Sequence, residues 1–428
     1  MLFSRRRFLC GATAATLAVP AFLRSLEADA AANMTLVAIL QDGGCDGLNT
    51  VVPLSQYGVY SGLRQIPGGA GTLAVLETDI QTAGTAFDAN YTTPASSATT
   101  FAFHPNMTAL RALYGQGKVA VLLGVGIPPA DDNRTSHEVG KFDWATATIN
   151  KLGYTNLGWL GQAFDTLGGG GAIPPTVSLN YSAPTIMHGV QNTPLVLGGD
   201  IGNFSVPSGA GGSDATARLA ALATDDGYAL PSSAGEFARS LASATTGYVT
   251  AVQGYATTAP GTGYGSVAKS GLKFQLLQIA RLIKAGAPSR AYFASQGGYD
   301  THSQQNAPGF HPSLVGELSD AIAQFYAYLA ANSLSQNVVV MTYTDFGRRV
   351  QANSTAGTDH GTAQVGFVVG DPVKPGVYGN YPDLTKLDHD GNPVISVDFR
   401  NHISDLIGAL GADPRPIVGT TYPKLGYI

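Results

Sequence analysis

Two short β-branched runs limit what this chain can become. Val338-Val339-Val340-Met341 and Val365 to Val369 are unbroken apolar stretches bounded by Gly, Asp or Asn. Runs of that kind have no polar face, so they read as strands buried on both sides, as in a parallel sheet covered by helices. Between them lie Thr344-Asp345-Phe346-Gly347-Arg348-Arg349, a polar loop, and Gly357-Thr358-Asp359-His360-Gly361. Open α/β sheets place their ligands just past strand carboxyl ends. Asp345 at such an end, with His360 fifteen positions on among glycines, has the composition of a metal site. A turn Asp and a rim His that merely solvate the sheet edge are the plain alternative.

The pattern recurs along the chain. Thr35 to Leu40 reads as a strand running into Gln41-Asp42-Gly43-Gly44-Cys45-Asp46-Gly47, and Ala291 to Ala294 as one running toward Tyr299-Asp300-Thr301-His302. Val119 to Val125 reads as a strand followed by Arg134-Thr135-Ser136-His137, with Ser136 placed to begin a helix through Trp144. Helical periodicity covers Met107 to Tyr114, Leu272 to Lys284, Ser313 to Ala331 and Phe399 to Gly411, whereas residues 53–100 look irregular. Strands alternating with helices define an α/β class with a largely parallel central sheet flanked by helices. Gly-, Ser- and Ala-rich tracts from 168 to 270 predict a cap-like insertion in one domain spanning 31–428.

Composition narrows the function classes. Only 12% of the 428 residues are charged, and the net charge is −5 with no basic cluster in the body. That excludes a nucleic-acid binder and suits an extracytoplasmic surface. Ser4-Arg5-Arg6-Arg7-Phe8-Leu9 matches the twin-arginine pattern, an Ala-rich apolar run follows, and Ala28-Asp29-Ala30 offers a cleavage site. Residues 1–30 are therefore expected to be an export signal, leaving no membrane span after cleavage and placing the protein in the periplasm or outside the cell. Cys10 leaves with that signal, and Cys45 alone cannot form an intrachain disulfide.

Seven ordered motifs carry a resemblance over nearly the whole mature chain: Asp42-Gly43-Gly44 with Asp46-Gly47-Leu48-Asn49, Phe103-His104-Pro105, Ser136-His137, Gly298-Tyr299-Asp300-Thr301-His302, Asp345-Phe346-Gly347-Arg348 and Asp359-His360-Gly361, after the twin-arginine start. The chain resembles the family catalogued as domain of unknown function 1501, which is similar to the alkaline phosphatase and arylsulfatase superfamily. The resemblance implies an alkaline-phosphatase-like fold and a divalent metal, Zn²⁺ or Mn²⁺, held by Asp42, Asp300, His302, Asp345 and His360. It implies Ser136 as nucleophile, with Arg134 and His137 beside it as catalytic candidates. Phe346 stands where a second nitrogen ligand belongs, so one tight site is expected. The half with Asp42 and Asp345 is then oxygen-only, open to Mg²⁺ or Ca²⁺ or to the charge of an arginine such as Arg348. Cys45 lacks the downstream Pro and Arg of a formylglycine precursor, having Gly47 and Asn49 instead.

The expected activity is metal-dependent hydrolysis of phosphate or sulfate esters on a small-molecule or glycan substrate. A non-catalytic envelope protein of the same fold, binding a glycan or a protein partner, is the second reading, and the 19 tyrosines suit a carbohydrate-facing surface. A serine esterase is disfavoured because no Gly-x-Ser-x-Gly elbow occurs in the right setting. Export gives a first test. Replacing Arg5 and Arg6 by Lys is expected to hold the chain in the cytoplasm on cell fractionation, because recognition reads the guanidinium pair and not charge alone. Wild-type periplasmic accumulation of that double variant would sink the assignment.

Overall fold

The computed structural model describes residues 34–87, 101–129, 134–149, 155–171, 173–204, 247–257 and 267–428, with residues 245 and 264. The expected export signal with Cys10, and much of the Gly-, Ser- and Ala-rich span 168–270, lie outside the described residues. The strands in chain order are β1 (Thr35–Gln41), β2 (Val51–Pro53), β3 (Ala86–Phe87), β4 (Phe101–Phe103), β5 (Val119–Gly126), β6 (Thr176–Ser178) and β7 (Leu195–Val196). They continue as β8 (Ala291–Gln296), β9 (Val338–Thr344), β10 (Arg348–Ala352), β11 (Thr358–His360), β12 (Gln364–Gly370), β13 (Gly376–Tyr378) and β14 (Val397–Asp398).

Nine of these strands form the central sheet, in the order β13-β5-β12-β9-β1-β8-β6-β7 with β14 also on β5. The class is α/β, and the sheet is mostly parallel: β1 lies between β8 and β9, parallel to both. Side chains alternate along each strand, so each face has its own core. Val37, Ile39, Val121, Tyr292, Val340 and Phe367 join the helices Thr108–Gly115, Gly271–Lys284 and His311–Ala331 on one face. Leu36, Ala38, Leu122, Phe293, Val339 and Met341 join His137–Thr146, Trp159–Leu167 and Phe399–Leu410 on the other.

Three expectations change. The run Val365 to Val369, expected as a parallel strand, lies in β12, which is antiparallel to both β5 and β9. Instead of a helical crossover, the antiparallel hairpin β10–β11 links β9 to β12, and the chain re-enters the sheet from the rim it left. The stretch expected to be irregular contains helices Tyr57–Leu63 and Glu77–Ala83 and the small sheet β2-β4-β3. Those elements are too short for periodicity to register; tertiary anchors such as buried Tyr60, whose hydroxyl donates to Asn49 Oδ1 at 2.8 Å, hold them. Within 168–270, β6 and β7 continue the central sheet beyond β8. Among the described residues no helix is long and apolar enough to cross a membrane.

Buried His402 links this packing to pH. Its Nδ1 meets the Tyr427 hydroxyl at 2.6 Å, Nε2 has no partner, and burial lowers its pKa to about 3. In the unfolded chain the ring takes a proton near pH 6.5. Its contribution to stability is therefore complete above about pH 6.5 and is lost as pH falls toward about 3, by at most about 1.4 kcal/mol per pH unit. Urea unfolding at pH 7 and pH 5 should show a smaller acid-side loss for His402→Phe than for the wild type. An equal loss would place the pH dependence elsewhere.

Candidate metal centre

The strand ends meet at one rim. After β1 the chain turns through Gly43 and Gly44, with φ of +121° and +79°. A Cβ on Gly43 would stand 2.5 Å from the Asp300 backbone N, and one on Gly44 would stand 2.5 Å from Phe346 Cε2. Only glycine lets the loops after β1, β8 and β9 approach this closely. Into this junction β10 sends Arg348, whose side chain is fully buried. It donates to the carbonyls of Gly44 (2.7 Å), Thr358 (2.9 Å) and Tyr299 (3.1 Å), to that of Gly43, and to Asp300 Oδ1 at 2.7 Å.

Around Asp300 stand three imidazoles. His302 Nε2 and His360 Nε2 lie 2.9 Å apart, and 3.1 and 3.2 Å from Asp300 Oδ1. His137 Nε2 lies 3.5 Å from Asp300 Oδ2 and, although buried, has no hydrogen-bond partner. Each Nδ1 is anchored from behind. His360 Nδ1 meets the Thr135 carbonyl at 2.8 Å, His137 Nδ1 meets Asp345 Oδ2 at 2.7 Å, and His302 Nδ1 meets Asp359 Oδ1 at 3.3 Å. Those oxygens accept, so Nδ1 carries the proton and each Nε2 turns a lone pair inward.

The electrostatics agree with that assignment. Burial disfavours a charged His360, and the Arg348 charge adds to this, so its pKa falls and the ring is neutral. Burial would raise the Asp300 pKa, but the Arg348 hydrogen bond and charge outweigh it and lower it to about 2. Two bare nitrogens 2.9 Å apart repel unless a proton or a cation lies between them. Donors about 2 Å from one tetrahedral ion are about 3.3 Å apart, close to the separations here. His137, Asp300 and His360 are a group whose donor atoms could share one metal ion. The residues fit such an ion, with a carbonyl or carboxylate behind each imidazole as metal-binding histidines require.

The other expected positions serve differently. Asp345 has a fully buried side chain and accepts from Gly43 N–H at 3.2 Å as well as facing His137, so it stands behind the imidazole. Burial raises its pKa despite the His137 hydrogen bond. Asp42 Oδ1 is 2.7 Å from Lys141 Nζ, which is also 3.9 Å from Asp345 Oδ2. The half expected to be oxygen-only thus holds an ammonium, and Arg348 binds Asp300 instead. Lys141 was missed, although it lies four residues beyond His137 and so on the same helix face. Ser136 is the N-cap of His137–Thr146, yet its hydroxyl makes no capping bond. Arg134 pairs with Asp388 at 3.1 Å and, with Thr135, Arg349 and His360, lines a cavity of about 430 Å³.

The chain belongs to the family described as "Protein of unknown function (DUF1501)", whose model matches residues 158–421. No curated protein matches the sequence. Similar solved structures include a 2-O GAG sulfatase, at 8% identity over 91% of this chain and 76% of that one, with a TM-score of 0.33. Ps i-CgsB in complex with k-i-k-neocarrahexaose is 8% identical over 89% and 72%, with a TM-score of 0.35.

The buried guanidinium gives the next expectation. Arg348→Met leaves four carbonyls without that donor, at about 1–3 kcal/mol for each that stays unsatisfied. Chemical denaturation should show a loss of at least about 3 kcal/mol. A loss below about 1 kcal/mol would mean that other donors serve those carbonyls.

Proposed function

We propose that this protein is an exported, metal-dependent hydrolase of sulfate or phosphate monoesters. The observation that carries the reading is the set of three inward-facing Nε2 atoms around Asp300, beside an open cavity. In this reading His137, Asp300 and His360 hold one divalent ion with His302 beside them, and His137 is a ligand with Asp345 as its orienting partner. Two nitrogen donors with one oxygen favour Zn²⁺ or a similar transition ion over Mg²⁺ or Ca²⁺. When bound, the ion supplies Lewis-acid polarisation of an ester oxygen. Lys141 supplies a second positive charge beside Asp42 and Asp345, where a second ion would otherwise sit.

Ser136 is the proposed nucleophile, its hydroxyl being uncommitted to the helix it precedes. Its oxygen bonds to sulfur or phosphorus, the ester bond breaks, and the alcohol departs with a proton. Water then releases sulfate or phosphate and restores the serine. The proposed location is the periplasm or the cell exterior, and the proposed substrate is a small-molecule or glycan ester.

Metal analysis and turnover test this together. The dialysed full chain should hold about one transition-metal ion. His360→Ala and His137→Ala should lose it, while Asp345→Asn should retain it with about 10–100-fold weaker affinity. Aryl sulfates or phosphates should be hydrolysed, and Ser136→Ala should abolish turnover with the ion still bound. Retention of the ion in His137→Ala would return His137 to a role outside the ligand set. Two tight ions per chain would overturn the role given to Lys141, and a metal-free chain without turnover would leave a binding protein.

A further inference from the structure

We infer that the cavity beside the metal centre is an anion subsite in which Arg349 holds the charged group of a sulfated or phosphorylated sugar. The inference deepens the hydrolase reading by naming its substrate class. Arg348 and Arg349 are neighbours on β10, so their side chains leave the strand on opposite sides. Arg348 is consumed by the carbonyls and Asp300, whereas Arg349 faces the cavity it shares with His360 and Arg134.

The two cavity arginines differ in one decisive respect. Arg134 is already neutralised by Asp388 at 3.1 Å. Arg349 is half-buried, no hydrogen bond or ion pair among the described residues uses its guanidinium, and the Asp359 charge acts on it without such a contact. A cavity-lining guanidinium whose donors are not taken by a protein acceptor keeps them for a ligand, and a planar fork of donors suits a tetrahedral oxyanion. The acceptor it lacks is therefore assigned to the ligand.

The opposite wall indicates what carries the anion. Asp388 is occupied: it accepts from Arg134, from the backbone N–H groups of Asp390 and Asn392, and from Asn392 Nδ2. Asp390 is exposed and meets the ring of exposed His389 at 3.1 Å, which leaves acceptor capacity toward the cavity. The loop packs onto β10, since a Cβ on Gly391 would stand 3.3 Å from Gln351 Oε1. Arg349 and Asp390 thus border one space of about 430 Å³, large enough for a monosaccharide. The guanidinium takes the oxyanion, and the carboxylate accepts from neighbouring hydroxyls.

Calorimetric titration of the full chain at constant ionic strength, before and after chelation, tests this without relying on turnover. The probes are inorganic sulfate, inorganic phosphate, glucose 6-sulfate, glucose 6-phosphate and glucose. At least one inorganic ion should bind, the corresponding sugar ester should bind at least tenfold more tightly, and the tighter pair identifies the oxyanion. Arg349→Gln should weaken binding of both at least tenfold while keeping the metal content and the unliganded thermal midpoint. Arg349→Lys should fall between the two, and Arg134→Gln should weaken binding less than Arg349→Gln. Asp390→Asn should remove the advantage of the sugar ester over the inorganic ion. Wild-type affinity in Arg349→Gln, or no anion binding in the wild type, overturns the subsite whatever the metal content. Loss of metal with Arg349-dependent binding intact would count against the hydrolase reading alone.

Discussion

The rim of this protein is assembled around one buried cation, the Arg348 guanidinium. Loops that leave β1 and β8 present the carbonyls of Gly43, Gly44 and Tyr299 to a common point, and β11 adds that of Thr358. No water reaches that point to satisfy them, because the Arg348 side chain is fully buried. A guanidinium has five donors in a fixed fork, so one residue ties together segments that are distant in sequence. Its contact with Asp300 extends the same arrangement to the surface, where the carboxylate faces three imidazoles.

A second ion pair supports the first from below. Asp46 and Arg64 form a fully buried bidentate pair, with N–O distances of 2.7 and 2.8 Å. Burial would raise the Asp46 pKa, but the Arg64 charge and the hydrogen bonds from Arg64 and Gln305 lower it instead. Gln305 donates to Asp46 Oδ2 at 2.6 Å, while its carbonyl oxygen accepts from Thr301 and Thr358. The glycine turn after β1 is thereby bonded to the segments that carry His302 and His360. Such a network holds geometry more than it adds stability, since desolvating charges offsets much of their attraction. The imidazoles are held in turn by Asp345, Asp359 and the Thr135 carbonyl, so their orientation does not depend on loop stiffness alone.

Much of this was legible in the chain. The strands β1, β5, β8, β9 and β12 follow from apolar runs closed by Gly, Asp or Asn, because such runs can be satisfied only between two layers. The rim residues Asp300, His302 and His360 follow from where those runs end. Less legible were the direction of β12, set by the returning hairpin, and the short elements between Tyr57 and Ala83, held by side-chain anchors. The distinct duties of the two site aspartates were hidden as well. Asp42 and Asp345 look alike in sequence, each an acid at a strand end, yet one faces Lys141 and the other stands behind His137.

The amino-acid sequence by itself determined the α/β class, the family and which strand ends carry acidic and imidazole side chains, since apolar periodicity and strand punctuation are local properties. Tertiary structure alone decided the roles. It placed His137 among the inward-facing imidazoles, put the Lys141 ammonium beside Asp42 and Asp345, and left the Arg349 guanidinium without an ion pair among the described residues. Those outcomes rest on distances of a few ångströms between residues up to about three hundred positions apart, as from Gly43 to Asp345. Hydrogen-bond partners, and hence tautomers and charge compensation, exist only once the strands have brought those residues to one rim.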